Sequence, residues 1–290
     1  MSACSKNYKF IFSSYERIDW LKTICSARSF RIEAGDCVSF SFPHMEKEKM
    51  RPEYIVSLAC LVEYFNSNKV GILVDTSEEI GEYLFEYLNL PEYWKGGKNY
   101  VDAGSKNILN LWHFDPSGME IHAKRISEYL KHTFFKRKDL SAVEMSLTEA
   151  YYNIQDHAQC QGNAFSMALF DSENEILNVA VCDFGIGIPT SVRTVRPDIS
   201  DDKLALIKAL EDDFTVGSKI HNAGKGLGNI RSSCTECDYL WIISNQAALV
   251  ATGSQEKVYD IGFNFEGTLI FYSMSLSHFD DEEIEEVFNW

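Results

Sequence analysis

Residues whose types and spacing could support chemistry lie in four short segments of the second half of the 290-residue chain. The first segment contains Glu149 and Asn153, which share one face if the segment is helical. An asparagine oxygen is a hard, neutral ligand that suits Mg²⁺, and a glutamate one turn away can orient or deprotonate an attacking hydroxyl. Asp156 extends the same polar row. Taken alone, the row is more typical of an ordinary exposed helix face.

The second segment follows an apolar run and reads Asp183-Phe-Gly185-Ile-Gly187-Ile188-Pro189. The apolar run predicts a strand that ends at Asp183. The carboxylate of Asp183 is an acceptor suited to the exocyclic amine of adenine. Glycines allow the backbone to approach a ligand closely or to turn with positive φ. A Gly-x-Gly pair by itself is a weak signal that also fits a hairpin turn, and Pro189 makes the pattern more specific.

The third segment reads Gly224-Lys225-Gly226-Leu227-Gly228 and runs into a predicted helix through Ser232. Free amides at a helix start form an anion site that suits a di- or triphosphate, and Lys225 could add a point charge there. The spacing matches neither the Walker nor the Rossmann glycine pattern, so the sequence excludes both of those nucleotide-binding classes.

The fourth segment, Phe265-Glu-Gly267-Thr268, opens a predicted strand near the end of the chain. The hydroxyl of Thr268 could join Asp183 at a purine. Alone, the segment is simply a turn before a strand.

The elements that would position these segments form an α/β pattern with early helices and late strands. Helical periodicity runs over residues 120–158 with a break near 136–139, and residues 141–158 carry an apolar stripe beside the polar row. Predicted strands follow at residues 164–170, 176–182, 239–244, 257–263 and 268–275. This order predicts an α/β sandwich with helices on one face of a mixed, mostly antiparallel sheet.

The first part of the chain predicts a separate small α/β domain, so we divide the chain into domains 1–118 and 119–290. Its predicted elements are strands at 8–12, 38–42 and 70–74 and helices at 52–66 and 80–88. The sequence Asp75-Thr76-Ser77 could carry a phosphorylatable residue. An N-cap by Asp75 or Thr76, ahead of two glutamates in the first helical turn, explains it better.

Taken in order, the four segments resemble the N, G1, G2 and G3 boxes of the GHKL ATPase superfamily. This superfamily groups DNA gyrase, heat-shock ninety chaperones, histidine kinases and MutL-type mismatch-repair proteins. The motifs are Glu-x-x-x-Asn, Asp-x-Gly-x-Gly-Ile-Pro, Gly-x-Gly-Leu-Gly and Gly-Thr, and the resemblance covers residues 120–275. It implies that the C-terminal domain has the GHKL sandwich fold and binds ATP and Mg²⁺.

The resemblance also implies a role for each matching residue. Asn153 would bind Mg²⁺, Asp183 would accept a hydrogen bond from the adenine amine, Thr268 would contact the purine edge, and Glu149 resembles the general base. The remaining residues expected to contact the nucleotide are Asp156, Gly185, Gly187, Ile188, Gly224, Lys225, Gly226, Leu227, Gly228. Residues 190–223 would form a mobile lid over the ATP.

Within the superfamily, Glu149-x-x-x-Asn153-Ile-x-x-His157-Ala158 is most similar to the anti-sigma-factor type of serine/threonine kinase. The usual partner of that type is a STAS-domain protein, and residues 1–118 themselves loosely resemble a STAS-like module. The resemblance predicts a protein that hydrolyses ATP or passes its γ-phosphate to a serine or threonine of a protein partner. The alternative is a non-catalytic module whose lid orders when ATP binds and so gates a partner.

The composition limits the remaining possibilities. The formal net charge of −16 disfavours general nucleic-acid or anionic-membrane binding and favours a basic or neutral protein partner. No apolar stretch reaches the roughly 18 residues that span a bilayer, and the N-terminus lacks a secretory signal, so we expect a cytoplasmic protein. Most of the eight cysteines are expected to be reduced. Self-association into a homodimer stays open.

Overall fold

The computed structural model describes residues 4–211, 226–232, 234–277 and 279–281. These residues form an α/β structure with a three-stranded parallel sheet and a five-stranded antiparallel sheet. The strands are β1 (Asn7–Ile11), β2 (Cys37–Phe42), β3 (Gly71–Thr76), β4 (Ile108–His113), β5 (Ala164–Asp171), β6 (Ile176–Asp183), β7 (Tyr239–Thr252), β8 (Gln255–Ser275). The helices are α1 (Arg17–Ser29), α2 (Pro52–Ser67), α3 (Glu78–Glu82), α4 (Pro91–Trp94), α5 (Met119–Thr133), α6 (Ser141–Asn153), α7 (Ile188–Arg193), α8 (Asp202–Leu210), α9 (Gly226–Ser232).

The parallel sheet has the strand order β1-β2-β3, with α1 and α2 as its crossovers. The predicted alternation of strand, helix, strand and helix over residues 38–88 is confirmed, and the helix predicted at 80–88 is α3 continued by the π-helical turn Tyr83–Tyr87. The side chain of Ser77, rather than that of Asp75 or Thr76, caps α3 by accepting a hydrogen bond from Ile80 N. Asp75 instead accepts hydrogen bonds from Lys9 and Ser41.

The antiparallel sheet has the strand order β4-β5-β6-β8-β7. The two strands predicted at 257–263 and 268–275 are one long strand, β8, which continues through the turn-like Phe265–Thr268 sequence. Strand β4 was not predicted. It precedes Gly118 and pairs with β5, so this sheet contains residues from both sides of the predicted domain boundary.

Both faces of the antiparallel sheet are covered by helices. On one face, Leu177 and Val179 of β6 share an apolar core with the predicted stripe of α6, including Val143 and Leu147. On the other face, Ala180 and Cys182 of β6 share a core with α1 and α2 of the first part of the chain. Since α2 also packs on the parallel sheet, it lies between the two sheets.

An ion pair between a half-buried arginine and a buried glutamate links α1 to α2 beneath the antiparallel sheet. Arg17 Nε lies 2.7 Å from Glu53 Oε1, and the Glu53 side chain is 1% exposed. The Arg17 guanidinium also stacks over the rings of Phe271 and Trp241, at 4.6 and 5.3 Å from their centroids. These cation–π contacts join the first part of the chain to β7 and β8.

The cysteines are mostly free thiols, as predicted. A disulfide joins Cys4 to Cys37 of β2, and the other six are unbridged, with Cys60 and Cys182 buried together in the core. Within the described ranges, no helix combines the length and the apolar character needed to cross a membrane.

Candidate functional site

The predicted helix over residues 141–158 consists of α6 and a terminal π-helical turn, Ile154–Ala158. Glu149 and Asn153 lie half-buried one turn apart, and Asn153 Nδ2 donates a 2.9 Å hydrogen bond to the backbone oxygen of Glu149. That bond leaves Oδ1, the atom with which an asparagine binds a metal, outside the helix hydrogen bonding. Isolated π turns are frequent at functional sites, and Asp156 lies half-buried within this one.

Asp183 is a buried carboxylate at the end of β6, with 3% of the residue exposed. Its Oδ1 accepts a 2.8 Å hydrogen bond from Gly185 N, and in the sheet register Asp183 lies directly opposite Thr268. Burial raises the pKa of Asp183 from 3.8 to about 7, although the backbone N–H groups of Gly185 and Thr268 and the charge of Arg28 act in the opposite direction. The carboxyl therefore changes charge near neutral pH.

Backbone segments around Asp183 pack so closely that no side chain fits at Gly185 or Gly267. A Cβ on Gly185 would lie 1.9 Å from the backbone oxygen of Ala158, and a Cβ on Gly267 would lie 2.1 Å from that of Asp183. Gly267 also has a φ of +125°, which favours glycine. A 2.8 Å hydrogen bond from Ile186 N to Ala158 O joins the loop after β6 to the end of the π turn. The first, second and fourth predicted segments therefore meet around Asp183.

Two residues of this site were not predicted, Ser244 and Asn245 on β7. Ser244 Oγ accepts a 2.7 Å hydrogen bond from Ile188 N and donates a 2.8 Å hydrogen bond to Gly267 O. It also lies 3.1 Å from Thr268 Oγ1, and because the Ser244 hydrogen is already used, Thr268 must be the donor in that pair. The oxygen of Thr268 thus keeps its capacity to accept a further hydrogen bond.

Asn245 fixes the loop that carries Gly187. With a φ of +51°, Asn245 donates to Ile186 O and accepts from both the backbone and the hydroxyl of Thr190, at 3.2 to 3.3 Å. A Cβ on Gly187 would lie 2.5 Å from Asn245 Oδ1. The only sequence signal for these two residues was the abrupt change from apolar to polar residues after Ile243.

The third predicted segment is described from Gly226 onward, where α9 begins. Leu227 is buried in the core beside α6, and Gly228 is half-buried. Gly224 and Lys225 lie outside the described residues, as does 212–223 of the predicted lid. The described part of that lid contains α7 and α8, which pack against each other and against β7. Ala205 and Leu206 of α8 are buried, so this part is packed structure rather than a loose cover.

The first part of the chain reaches the loops that flank Asp183. Arg28, near the end of α1, lies over the ring of Phe184 at 4.0 Å from its centroid. It also donates a hydrogen bond to the backbone oxygen of Glu266, next to Gly267. Arg28 of α1 therefore contacts Phe184 and Glu266, which lie close in sequence to Asp183 and Thr268.

No protein-family model matches the chain, and no curated protein matches it in sequence. In the part of the chain that the structure describes, no three His, Cys, Asp or Glu side chains converge as metal ligands.

Proposed function

We propose that the chain binds Mg·ATP as a GHKL-type protein and hydrolyses it or transfers its γ-phosphate to a serine or threonine of a protein partner. The proposal depends on the buried carboxylate of Asp183, which lies opposite Thr268 and among backbone segments that leave no room for side chains at Gly185 and Gly267. A buried carboxylate is costly to the folded state unless a ligand or a partner uses it.

The exocyclic amine of adenine would supply a hydrogen-bond donor to the buried carboxylate of Asp183. Asp183 Oδ1 is held by Gly185 N, so the carboxylate is fixed in orientation and retains acceptor capacity for an exocyclic amine. An adenine amine that donates to Asp183 would favour the ionised carboxyl, and would thus lower its raised pKa. The hydroxyl oxygen of Thr268, oriented by Ser244, offers a second acceptor on the same side of the sheet.

Helix α6 supplies the groups expected near the phosphates. Asn153 Oδ1 would bind Mg²⁺, and the half-buried Glu149 would accept the proton of the attacking hydroxyl. When bound, Mg·ATP supplies the phosphoryl group and the positive charge that offsets its negative charge. The hydrogen bond from Ile186 N to Ala158 O joins the π turn after Asn153 to the Asp183 loop, which supports a common site for the adenine and the phosphates.

A regulatory role with a protein partner follows from the resemblance to anti-sigma-factor kinases and from the charge. The net charge of −16 favours a basic or neutral partner surface and disfavours a DNA-dependent cycle of the gyrase type.

The chemistry is tested by measuring Mg·ATP binding and phosphate release for the wild type, Glu149→Gln, and the control Glu128→Gln. Glu128 is an exposed glutamate of α5 that pairs with Lys124. We expect all three proteins to bind ATP with similar affinity, and phosphate release or transfer to fall at least about 100-fold only in Glu149→Gln.

Three outcomes would correct the proposal. Equal turnover in wild type and Glu149→Gln would contradict the assignment of the base. Tight ATP binding by the wild type without hydrolysis or transfer would favour the ATP-gated binding module. The absence of ATP binding would reject the nucleotide site.

A further inference from the structure

A cavity of about 400 Å³ lies between α5 and the loop that leads into β4. None of the residues that line it belongs to the four predicted segments. Its volume is in the range of pockets that hold small organic molecules. The cavity is thus a candidate site independent of the proposed nucleotide site.

One wall of this cavity is a face of α5. His122, Arg125, Ile126 and Tyr129 line it, and their spacing of three, four and seven residues places them on one side of the helix. The opposite wall includes Tyr100, Asp102 and Lys106, with Ile108 and Leu109 from β4. Tyr129 closes one end by donating a 2.9 Å hydrogen bond to Lys106 O.

His122 is the buried polar group of the cavity, with only 6% of the residue exposed. Its ring stacks on Trp112, with 4.3 Å between centroids and 16° between planes. The stack uses the face of the imidazole and not its nitrogens, which hydrogen-bond in the plane of the ring. Among the described residues, none makes a hydrogen bond to either ring nitrogen of His122. Burial and the charge of Arg125 lower the His122 pKa to about 3, so the ring is neutral and offers one donor and one acceptor.

The charged groups of the cavity favour an anion. Arg125 and Lys106 contribute two positive charges against the single negative charge of Asp102, in a chain whose net charge is −16. The Arg125 guanidinium lies over the Tyr100 ring at 4.0 Å from its centroid, and its Nη2 makes a 3.1 Å hydrogen bond to Asp102. A guanidinium has five N–H groups, so Arg125 can bind a carboxylate while it keeps this contact.

We propose that this cavity binds a small, flat organic carboxylate that also carries a hydroxyl group. The carboxylate would pair with Arg125 and Lys106, the flat apolar body would lie against Ile108 and Ile126, and the hydroxyl would hydrogen-bond to His122. The i, i+3 spacing of His122 and Arg125 places both residues on the same face of α5, so one small molecule in the cavity can contact both.

The test is calorimetric titration of the full chain with the hydroxybenzoate isomers, benzoate and hydroxybenzyl alcohol. The variants are Arg125→Gln and the matched control Lys124→Gln, whose lysine is the neighbouring exposed cation of α5 and pairs with Glu128. His122→Phe keeps an aromatic ring to stack on Trp112 and removes the two nitrogens. Thermal unfolding checks that each variant is folded.

We expect at least one hydroxybenzoate to bind the wild type more tightly than benzoate, and hydroxybenzyl alcohol to bind more weakly than either. Arg125→Gln should weaken hydroxybenzoate binding on the order of tenfold, and Lys124→Gln should not. His122→Phe should bind benzoate as the wild type does and lose the preference for hydroxybenzoate.

Three results would overturn the proposal: no hydroxybenzoate binds the wild type, the uncharged alcohol binds as well as the acids, or Arg125→Gln and Lys124→Gln behave alike. If His122→Phe fails to fold, the ring nitrogens of His122 are followed by NMR in the wild type. A change in their chemical shifts on addition of hydroxybenzoate supports the proposal, and unchanged shifts at saturation contradict it.

Discussion

Replacing Asp183 by asparagine removes a buried charge and should stabilise the folded protein, although it removes a residue that we place in the nucleotide site. Asparagine has almost the same shape and can still accept the hydrogen bond from Gly185 N through Oδ1. The substitution therefore changes mainly the ionisation of a side chain that is 3% exposed. The predicted gain in stability depends on pH in a way that follows from the raised pKa.

The sign and size follow from proton linkage. Below pH 3.8 the carboxyl is protonated in both the folded and the unfolded chain, and it has no charge to bury. As the pH rises from 3.8 to about 7, the unfolded chain releases this proton first, so the folded state loses stability, and above about 7 the loss is complete. A shift of about 3 pH units corresponds to a loss of about 4 kcal/mol. Asparagine has no such loss.

The assay is urea unfolding of the wild type and Asp183→Asn across this pH range without nucleotide. Relative to its value at pH 3, the difference in unfolding free energy between variant and wild type should shift in favour of the variant by about 1.5 kcal/mol at pH 5 and by about 4 kcal/mol at pH 8. Asp171→Asn is the matched control with the opposite sign, because hydrogen bonds from Asn174 lower the pKa of Asp171 and its ionised form stabilises the turn after β5. A difference between Asp183→Asn and the wild type that is independent of pH would refute the reasoning.

Two further changes test the packing around the site by urea unfolding. Gly185→Ala should lower the free energy of unfolding by about 2 kcal/mol because the new Cβ meets the Ala158 backbone. In the control Gly81→Ala nothing lies closer than 3.9 Å to the new Cβ, and stability should change by less than about 1 kcal/mol. Equal effects of the two substitutions would contradict the close contact between Gly185 and Ala158. Arg17→Ala should cost about 3 kcal/mol because it leaves the charge of Glu53 buried. The double variant Arg17→Met with Glu53→Gln should recover much of that loss, and an equal or larger loss would show that the buried charge is not the cause.

The local patterns of the sequence predicted the elements that carry the site. The apolar stripe that includes Val143 and Leu147 identified α6, and the apolar runs before Asp183 and after Gly267 identified β6 and part of β8. Such periodicities report which face of an element is buried, and they are strong when the element packs on one side. The sequence thus placed Asp183 and Thr268 at strand positions that the register brings opposite each other.

Features that depend on distant partners could not be read from local patterns. Strand β4 is a short edge strand whose partner, β5, begins at Ala164, far along the chain. Ser244 and Asn245 acquire their roles only because β7 pairs with β8 beside the Asp183 loop. His122 lies within the predicted helical periodicity, and no local pattern marks it as part of a cavity. Its place in a cavity depends on the loop before β4 that covers it.

The central claim is that Asp183 recognises the amine of adenine, and the most direct measurement is the affinity of the full chain for Mg·ATP and Mg·GTP. Guanine carries an oxygen where adenine carries the amine, so the carboxylate of Asp183 should repel that oxygen. We predict that the wild type prefers ATP by at least about tenfold, and that Asp183→Asn, whose Nδ2 can donate to an oxygen, narrows or reverses this preference while Asp171→Asn retains it. Equal affinities of the wild type for ATP and GTP, or an unchanged preference in Asp183→Asn, would contradict the account.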